Sequence, residues 1–571
     1  MAGWHRRAVV IAVLMLTSCT TAPALRTGTQ DDAGSQAGQP SRTLRAVIRA
    51  EPGTVAGTIF LATGITTATA RRVFNAGLAL EDGENQMRPY LAERLPELNT
   101  DSWRLFPDGQ METTYRLRAD LTWHDAKPLS AHDFAFAHNV YRDPALGISR
   151  SPPRSLIEEV RADDAQTLVI RWNRPYAEAG GLSYTAFAPL PRHIVEPVYA
   201  AERDNLPNHP FWTSEFVGAG PYRLARWEPG AFIEATAFER HSLGKPKIER
   251  VQITWSADFN ATLANLVAGT IDYPGDNSIR VAEGLVLERE WAARNGGTVL
   301  YQPELPRFVQ VQHRPEFANP PAVRDVRVRR ALAHAVDRPV INETLFDGKG
   351  ITSDSLIYPT VPYFADVERA IARYPFDVRR TDQLMAEAGF PKDVAGFFMD
   401  RTGARLNLEV RNIQSAQNDA ERSIIADGWR RAGFQIEEDV FTPVQTRDGH
   451  LLGTFRSLSV TSGGAAREGL TLENLNSASI SRPETRWIGQ NRGGWANAGY
   501  DRGVDAFVTA LDPREQARAV IEAVKVLTEE LGVIPLHFNP RAVAYAAGLV
   551  GVDVRSGVVD PSWNIHEWEL R

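Results

Sequence analysis

A mixed α/β fold is predicted by three features of this 571-residue sequence. Short apolar or alternating runs bounded by Gly and Pro recur along its length, and each has the length of a strand. Between them lie amphipathic stretches that stop at a glycine, the signature of helices with left-handed C-caps. The only cysteine is Cys19, beside the N-terminus, so no internal disulfide is available and the fold must rest on core burial.

Taken in order, Leu44–Ile48 (LRAVI) is a buried strand stopped by Glu51-Pro52-Gly53. Thr113–Leu117 (TTYRL) alternates polar and apolar residues as a strand does. The segment from Ala119 opens with a turn and becomes a helix by Val140. Ser130 is its N-cap, and Asp133 three residues on meets the free N–H groups of the first turn. Val217–Arg226 is a Gly/Pro turn running into a strand, Val251–Trp255 another strand, and Phe259–Ala268 a helix closed by Gly269. In Asp325–Ala335 (DVRVRRALAHA), Val326, Leu332 and Ala335 share one face, which turns the arginines outward. Arg327, Arg329 and Asp337 are accordingly expected on an exposed helix face. Helices over Asp382–Ala388 and Arg422–Ala432 end at Gly389 and Gly433. Pro513–Glu530 is a further helix and Gly532–Phe538 a strand.

The chain opens as an export signal. His5, Arg6 and Arg7 precede the apolar run Ala8–Leu16, too short for a hydrocarbon layer that needs about 20 residues to span. Residues 1–18 are therefore expected to be a removable signal and 19–43, rich in Gly, Ser, Thr, Gln and Pro, a flexible tether. Formal charge is −7, and −9 without Arg6 and Arg7, which excludes the basic field of a nucleic-acid binder. No later segment is apolar enough to cross a membrane. A hydrolase would need a nucleophile and its base. No G-x-S-x-G elbow or HExxH is present, and Cys19 lies in the export signal, so no catalytic residue is assigned. His124, His132 and His138 lack the i, i+4 spacing of a helical zinc site, so neither metal nor cofactor is expected.

Leu16-Thr17-Ser18-Cys19 resembles the bacterial lipobox, which implies diacylation of Cys19 and a lipid anchor in the cell envelope. The stretches PYLAERL, LRADLTWHDAKPLSAHDFAFA, VGAGPYRL, LANLVAGTIDY, DVRVRRALAHAVDR, FDVRRTDQLMAEAGF, WRRAGFQI, GWANAGYDRGVDAF and GVIPLHF occur in the order and spacing of a known family. Together they resemble the bacterial extracytoplasmic solute-binding proteins, family 5, which serve ABC importers of peptides, nickel and related solutes. One departure is Asp125-Ala126, where the family usually has Asp-Gly in a tight turn.

The resemblance implies a two-lobed periplasmic-binding-protein-like fold of the class II type, with an extra domain in the first lobe and the ligand cleft between the lobes. The implied division assigns 44–74, 191–304 and 544–571 to the first lobe, 75–190 to the extra domain and 305–543 to the second lobe. It also implies a monomer that binds a peptide or another small solute, meets permease subunits, and has no enzymatic activity. An oligosaccharide or chelated nickel is the alternative solute, and a sensor without transport the alternative use.

In peptide-binding members, a loop after a second-lobe strand carries an aspartate for the ligand's amino group. Counted from Gly453-Thr454-Phe455, that position falls near Ala465, and no acid stands between Arg456 and Arg467. The role is therefore not transferred, although Glu468 is close by. The same stretch offers the hydroxyls of Ser459, Thr461 and Ser462, the N–H groups of Gly463 and Gly464, and the Arg467 guanidinium as ligand contacts. Phe74, Asn75, Tyr363, Phe364 and Trp495 complete the candidate cleft residues, the rings as apolar cover.

Overall fold

The computed structural model describes residues 43–57, 67–146, 148, 152–463, 468–555, 557 and 559–571. Cys19, the signal and all but the last residue of the tether fall outside them, as do Gly464, Ala465 and Arg467.

Three sheets carry the fold. The first has five strands, in the order Tyr273–Pro274, Thr43–Ile48, Arg250–Trp255, Phe232–Ala237 and Tyr222–Glu228. The strand Thr43–Ile48 is an interior strand, parallel to both neighbours, which buries Leu44, Ala46 and Ile48 on one face and Val47 on the other. A four-stranded antiparallel sheet is built from Trp103–Leu105, Met111–Arg116, Thr167–Trp172 and Ile157–Ala162. It shares one continuous hydrophobic core with the first sheet. The third sheet has six strands: Ile351–Thr352, Val533–Ala546, Gly297–Val311, Leu458–Ser462, Asn407–Ile413 and Gln435–Phe441. Its two faces are covered by separate cores.

Two of these strands are far longer than the rest. Gly297–Val311 and Val533–Ala546 pair antiparallel from Gly297↔Ala546 to Gln310↔Val533, with register shifts at Pro303/Leu305 and Arg307/Phe308. Prolines 303, 306, 535 and 540 lie in this ribbon, where each removes a ladder donor. Beyond the shifts the ribbon leaves the third sheet. Its Ala542 and Ala544 pack with Val47, Leu266, Leu287 and Trp291 beneath the first sheet. The ribbon thus joins the two bodies.

The expected caps are in place. The Ser130 N–H donates to the Asp133 carboxylate at 2.8 Å, opening the helix Ala131–Tyr141. Gly269, Gly389 and Gly433 have φ of 71°, 86° and 108°, each just past a helix end. Ala126 also takes a left-handed conformation, φ 66°, in the turn where a glycine is usual.

One expectation is overturned. Arg329 does not face water: only 4% of it is exposed. Its Nε and Nη2 donate to the Glu530 carbonyl at 3.1 and 2.7 Å, capping the C-terminus of Pro513–Glu530. Burial lowers its pKa to about 10. The helix buries Val328, Ala331, Leu332 and Ala333 as well, while Val326 is only half-buried. Arg327 stays at the surface, paired to Asp325 at 2.6 Å. Asp337 caps the following helix through the Val340 N–H.

Candidate functional site

A cavity of about 430 Å³ lies where the first sheet meets the long ribbon and the C-terminal segment. Its polar lining comes from three directions: Arg49 and Asp276 from the first sheet's loops, Glu304 and Arg541 from the ribbon, and Asp560 from the C-terminal segment.

The loop that presents Asp276 is set by local chemistry. After Tyr273–Pro274 the chain turns through Gly275, Asp276 and Asn277, and the last two sit at φ 51° and 54°, a region Asp and Asn tolerate best. The Gly275 N–H donates to the Val47 carbonyl at 2.8 Å and Ser278 Oγ to the same carbonyl at 3.2 Å, so the turn is tied to the strand Thr43–Ile48. A Cβ on Gly275 would stand 2.5 Å from Thr69 Oγ1, so only glycine fits there. Asp276 is thereby delivered to the start of Ala68–Phe74, where its Oδ1 accepts the Thr69 N–H at 3.0 Å. Its Oδ2 is buried with no hydrogen-bond partner.

Burial, and then the negative charge of Asp560, push the Asp276 carboxyl up to about 7, against the pull of the Thr69 N–H. Asp560 is itself held in a turn by the Ser562 N–H at 2.7 Å. On the ribbon side, Glu304 Oε1 accepts from Asn277 Nδ2 at 2.8 Å, and the Glu304 carbonyl accepts the Tyr358 hydroxyl. Arg541 Nη2 donates to the Val559 carbonyl at 2.9 Å, while its Nε is buried and unpartnered. Arg49 lies over the Phe259 ring, 5.5 Å from its centroid. The site therefore brings three carboxylates and two guanidiniums to one cavity, with a buried acid that has no cation on it among the described residues.

None of the described residues expected from the sequence lines this cavity. Phe74 is fully buried in the core, edge-on to Phe216 at 6.4 Å, and offers no face to a solute. Asn75 is buried and spends its amide on the Val55 and Arg71 carbonyls at 2.6 and 2.7 Å. Trp495 packs against Tyr500 at 4.8 Å and fills the space above Gly532. Tyr363 and Phe364 are half-buried against the same core.

The hydroxyl-rich stretch proves to be strand, Leu458–Ser462, and not loop. Strand alternation sends Ser459 and Thr461 to the face of their partners Gln310 and Phe308. Ser462 goes to the opposite face with Arg307, so the three hydroxyls do not converge. The Gly463 N–H is not available either, since it donates to the Pro306 carbonyl at 2.9 Å.

Asp276, Glu304, Arg541 and Asp560 were not singled out from the sequence. The available signal was the turn Pro274-Gly275-Asp276-Asn277 immediately after the GTIDY stretch.

Three comparisons bear on this arrangement. The model of the bacterial extracellular solute-binding proteins, family 5, matches residues 93–455. A Brucella ovis protein named as an ABC transporter peptide-binding protein is 25% identical over 304 residues, 51% of each chain. The chain thus spans about half the length of the curated relatives it matches first. Among solved structures, NikZ from Campylobacter jejuni in complex with Ni(L-His) superposes with a TM-score of 0.69 at 22% identity, covering 93% of this chain and all of that one. The oligopeptide-binding protein of Thermus thermophilus, complexed with a pentapeptide, gives 0.67 at 21% identity over 93% and 96%. These likenesses make the architecture that of the two-lobed periplasmic binding proteins.

Proposed function

The chain belongs to the bacterial extracellular solute-binding proteins, family 5, and on that footing we propose that it captures a peptide or peptide-like solute by closing two lobes and hands it to the permease of an ABC importer. The observation that carries the reading is the charged cavity where the first sheet, the joining ribbon and the C-terminal segment meet. Its volume is in the range of small-molecule sites, roughly 300–1,000 Å³. The mixture of carboxylates and guanidiniums suits a solute with polar and charged groups, as a peptide has.

The hinge in this account is the ribbon Gly297–Val311 with Val533–Ala546, whose register shifts interrupt the ladder between the bodies. The strand membership of the three sheets supports the division into a first lobe of 44–74, 191–304 and 544–571, an extra domain of 75–190 and a second lobe of 305–543. A solute that contacts both lobes favours the closed form by its difference in affinity between the two states. A micromolar solute supplies about −8 kcal/mol for this. The protein works as a monomer outside the cytoplasm, held at the membrane through lipid on Cys19. No helix among the described residues is long and apolar enough to cross a membrane.

The test is a thermal-shift screen of tri- to pentapeptides, oligosaccharides and nickel–histidine, with native mass spectrometry of each hit. A peptide is expected to raise the melting temperature by mass action. A shift by oligosaccharide or nickel–histidine alone would replace the peptide with that solute. Cys19→Ala is expected to move the protein from the membrane to the soluble fraction, and retention at the membrane would contradict the anchor.

A further inference from the structure

The second-lobe stretch 456–467, where peptide-binding members would place an acid, holds none. The cavity at the ribbon supplies one from a different wall. Asp276 has one carboxylate oxygen used by the Thr69 N–H and the other buried without a partner. A buried carboxylate in that state is costly unless a cation or a proton joins it.

The charged groups facing it are few. Asp560 adds a second negative charge from the C-terminal segment, and Glu304 a third from the ribbon, its Oε1 held by Asn277 at 2.8 Å. The Tyr273 phenol is buried and held far above its ordinary range by burial and by these same aspartates. Of the two guanidiniums in the lining, Arg49 is drawn onto the Phe259 ring and Arg541 is tied to the Val559 carbonyl. Among the described residues, none partners the remaining oxygen, Oδ2.

We propose that a cationic group of the solute, a primary ammonium or a guanidinium, docks on Asp276 in this cavity, with Asp560 and Glu304 supplying the surrounding negative field. The inference rests on the solute-capture reading above and names the chemistry that the solute must carry. It has a pH signature. In the empty site the carboxyl titrates at about 7, raised by burial and by Asp560. The cation binds the ionised form, so docking releases a proton. The ionised fraction rises from about a tenth at pH 6 to about nine-tenths at pH 8, and affinity follows it about tenfold.

The test is titration calorimetry at pH 6 and pH 8 with three probes: trialanine, N-acetyl-trialanine and agmatine. Asp276→Asn and Asp560→Asn are measured beside the unaltered protein, and circular dichroism checks that both variants are folded. Agmatine, a cation at both pH values, is expected to bind about tenfold more tightly at pH 8 than at pH 6, trialanine, whose α-amino group itself titrates near 8, about three- to fivefold more tightly, and N-acetyl-trialanine at least tenfold more weakly than trialanine. Asp276→Asn is expected to lose the pH dependence and at least tenfold in affinity; Asp560→Asn is expected to lose less. Equal binding of trialanine and its acetylated form, unchanged in Asp276→Asn, would overturn the cation site while leaving peptide capture standing. Binding of agmatine alone, abolished in Asp276→Asn, would support the cation site while removing the tripeptide as a solute. No binding of any probe at pH 8, or agmatine binding that persists in folded Asp276→Asn, overturns the proposal.

Discussion

Replacing Glu421 by glutamine removes the one negative charge from a network sealed between the third sheet and the helix Ala416–Ala432. Glu421 has no exposed surface, and Arg307 is 5% and His537 2% exposed. Arg307 Nε donates to Glu421 Oε2 at 3.1 Å, and its Nη2 donates to the same oxygen. His537 Nε2 donates to Oε1 at 2.7 Å. Arg307 also reaches Asn418 Oδ1 at 3.0 Å, tying the helix Ala416–Ala432 to the ribbon at its second register shift.

Burial alone would raise the Glu421 carboxyl, but the charge of Arg307 and the His537 hydrogen bond reverse this and bring it down to about 2. A drop of that size from the ordinary glutamate value corresponds to about 3 kcal/mol of stabilisation. That agrees with the ~3–5 kcal/mol lost when one partner of a buried pair is removed. Because the folded value is depressed, this contribution is present above the unfolded pKa near 4.3 and is lost as pH falls toward 2. Urea unfolding of Glu421→Gln at pH 7 is therefore expected to show a loss of about 3 kcal/mol. The double change Arg307→Met with Glu421→Gln is expected to recover part of it, since no charge is then stranded. A loss under 1 kcal/mol for the single change, or a double change no better than the single, would refute the reasoning.

Other perturbations probe single features of the fold. Ala126→Gly relieves a left-handed alanine, φ 66°, on an exposed turn and is expected to stabilise by about 1 kcal/mol, read as a higher urea midpoint. Arg329→Ala uncaps the C-terminus of Pro513–Glu530 and is expected to cost about 2 kcal/mol by the same assay. The raised Asp276 carboxyl favours the fold below the unfolded pKa near 3.9, and that advantage disappears as pH rises through about 7. The unliganded protein should therefore melt lower than Asp276→Asn at pH 8, and the two should coincide at pH 4. Parallel melting curves at both pH values would contradict the buried, unpaired state of this acid.

Much of the secondary structure was legible because its causes are local. Gly269, Gly389 and Gly433 end helices through their own backbone freedom, and Ser130 with Asp133 starts one through a contact three residues away. Arg329 was misread because periodicity shows which face a residue occupies, but not that a carbonyl 201 residues away waits for it there. Ser459, Thr461 and Ser462 are close in sequence, and in a loop their hydroxyls could converge on one ligand. As a strand, the stretch divides them between two faces.

The candidate site was hidden for a similar reason. Asp276, Glu304, Arg541 and Asp560 meet only because the ribbon and the C-terminal segment return to the first sheet. No one of them carries a local mark except the turn beneath Asp276. Phe74 and Trp495 show the converse: a large ring near an expected cleft most often fills the core, and both do.

The most direct test of solute capture by lobe closure is small-angle X-ray scattering of the purified protein, with and without a saturating peptide chosen by the thermal-shift screen. The account predicts a smaller radius of gyration in the bound state. Superimposable profiles at full occupancy would contradict it.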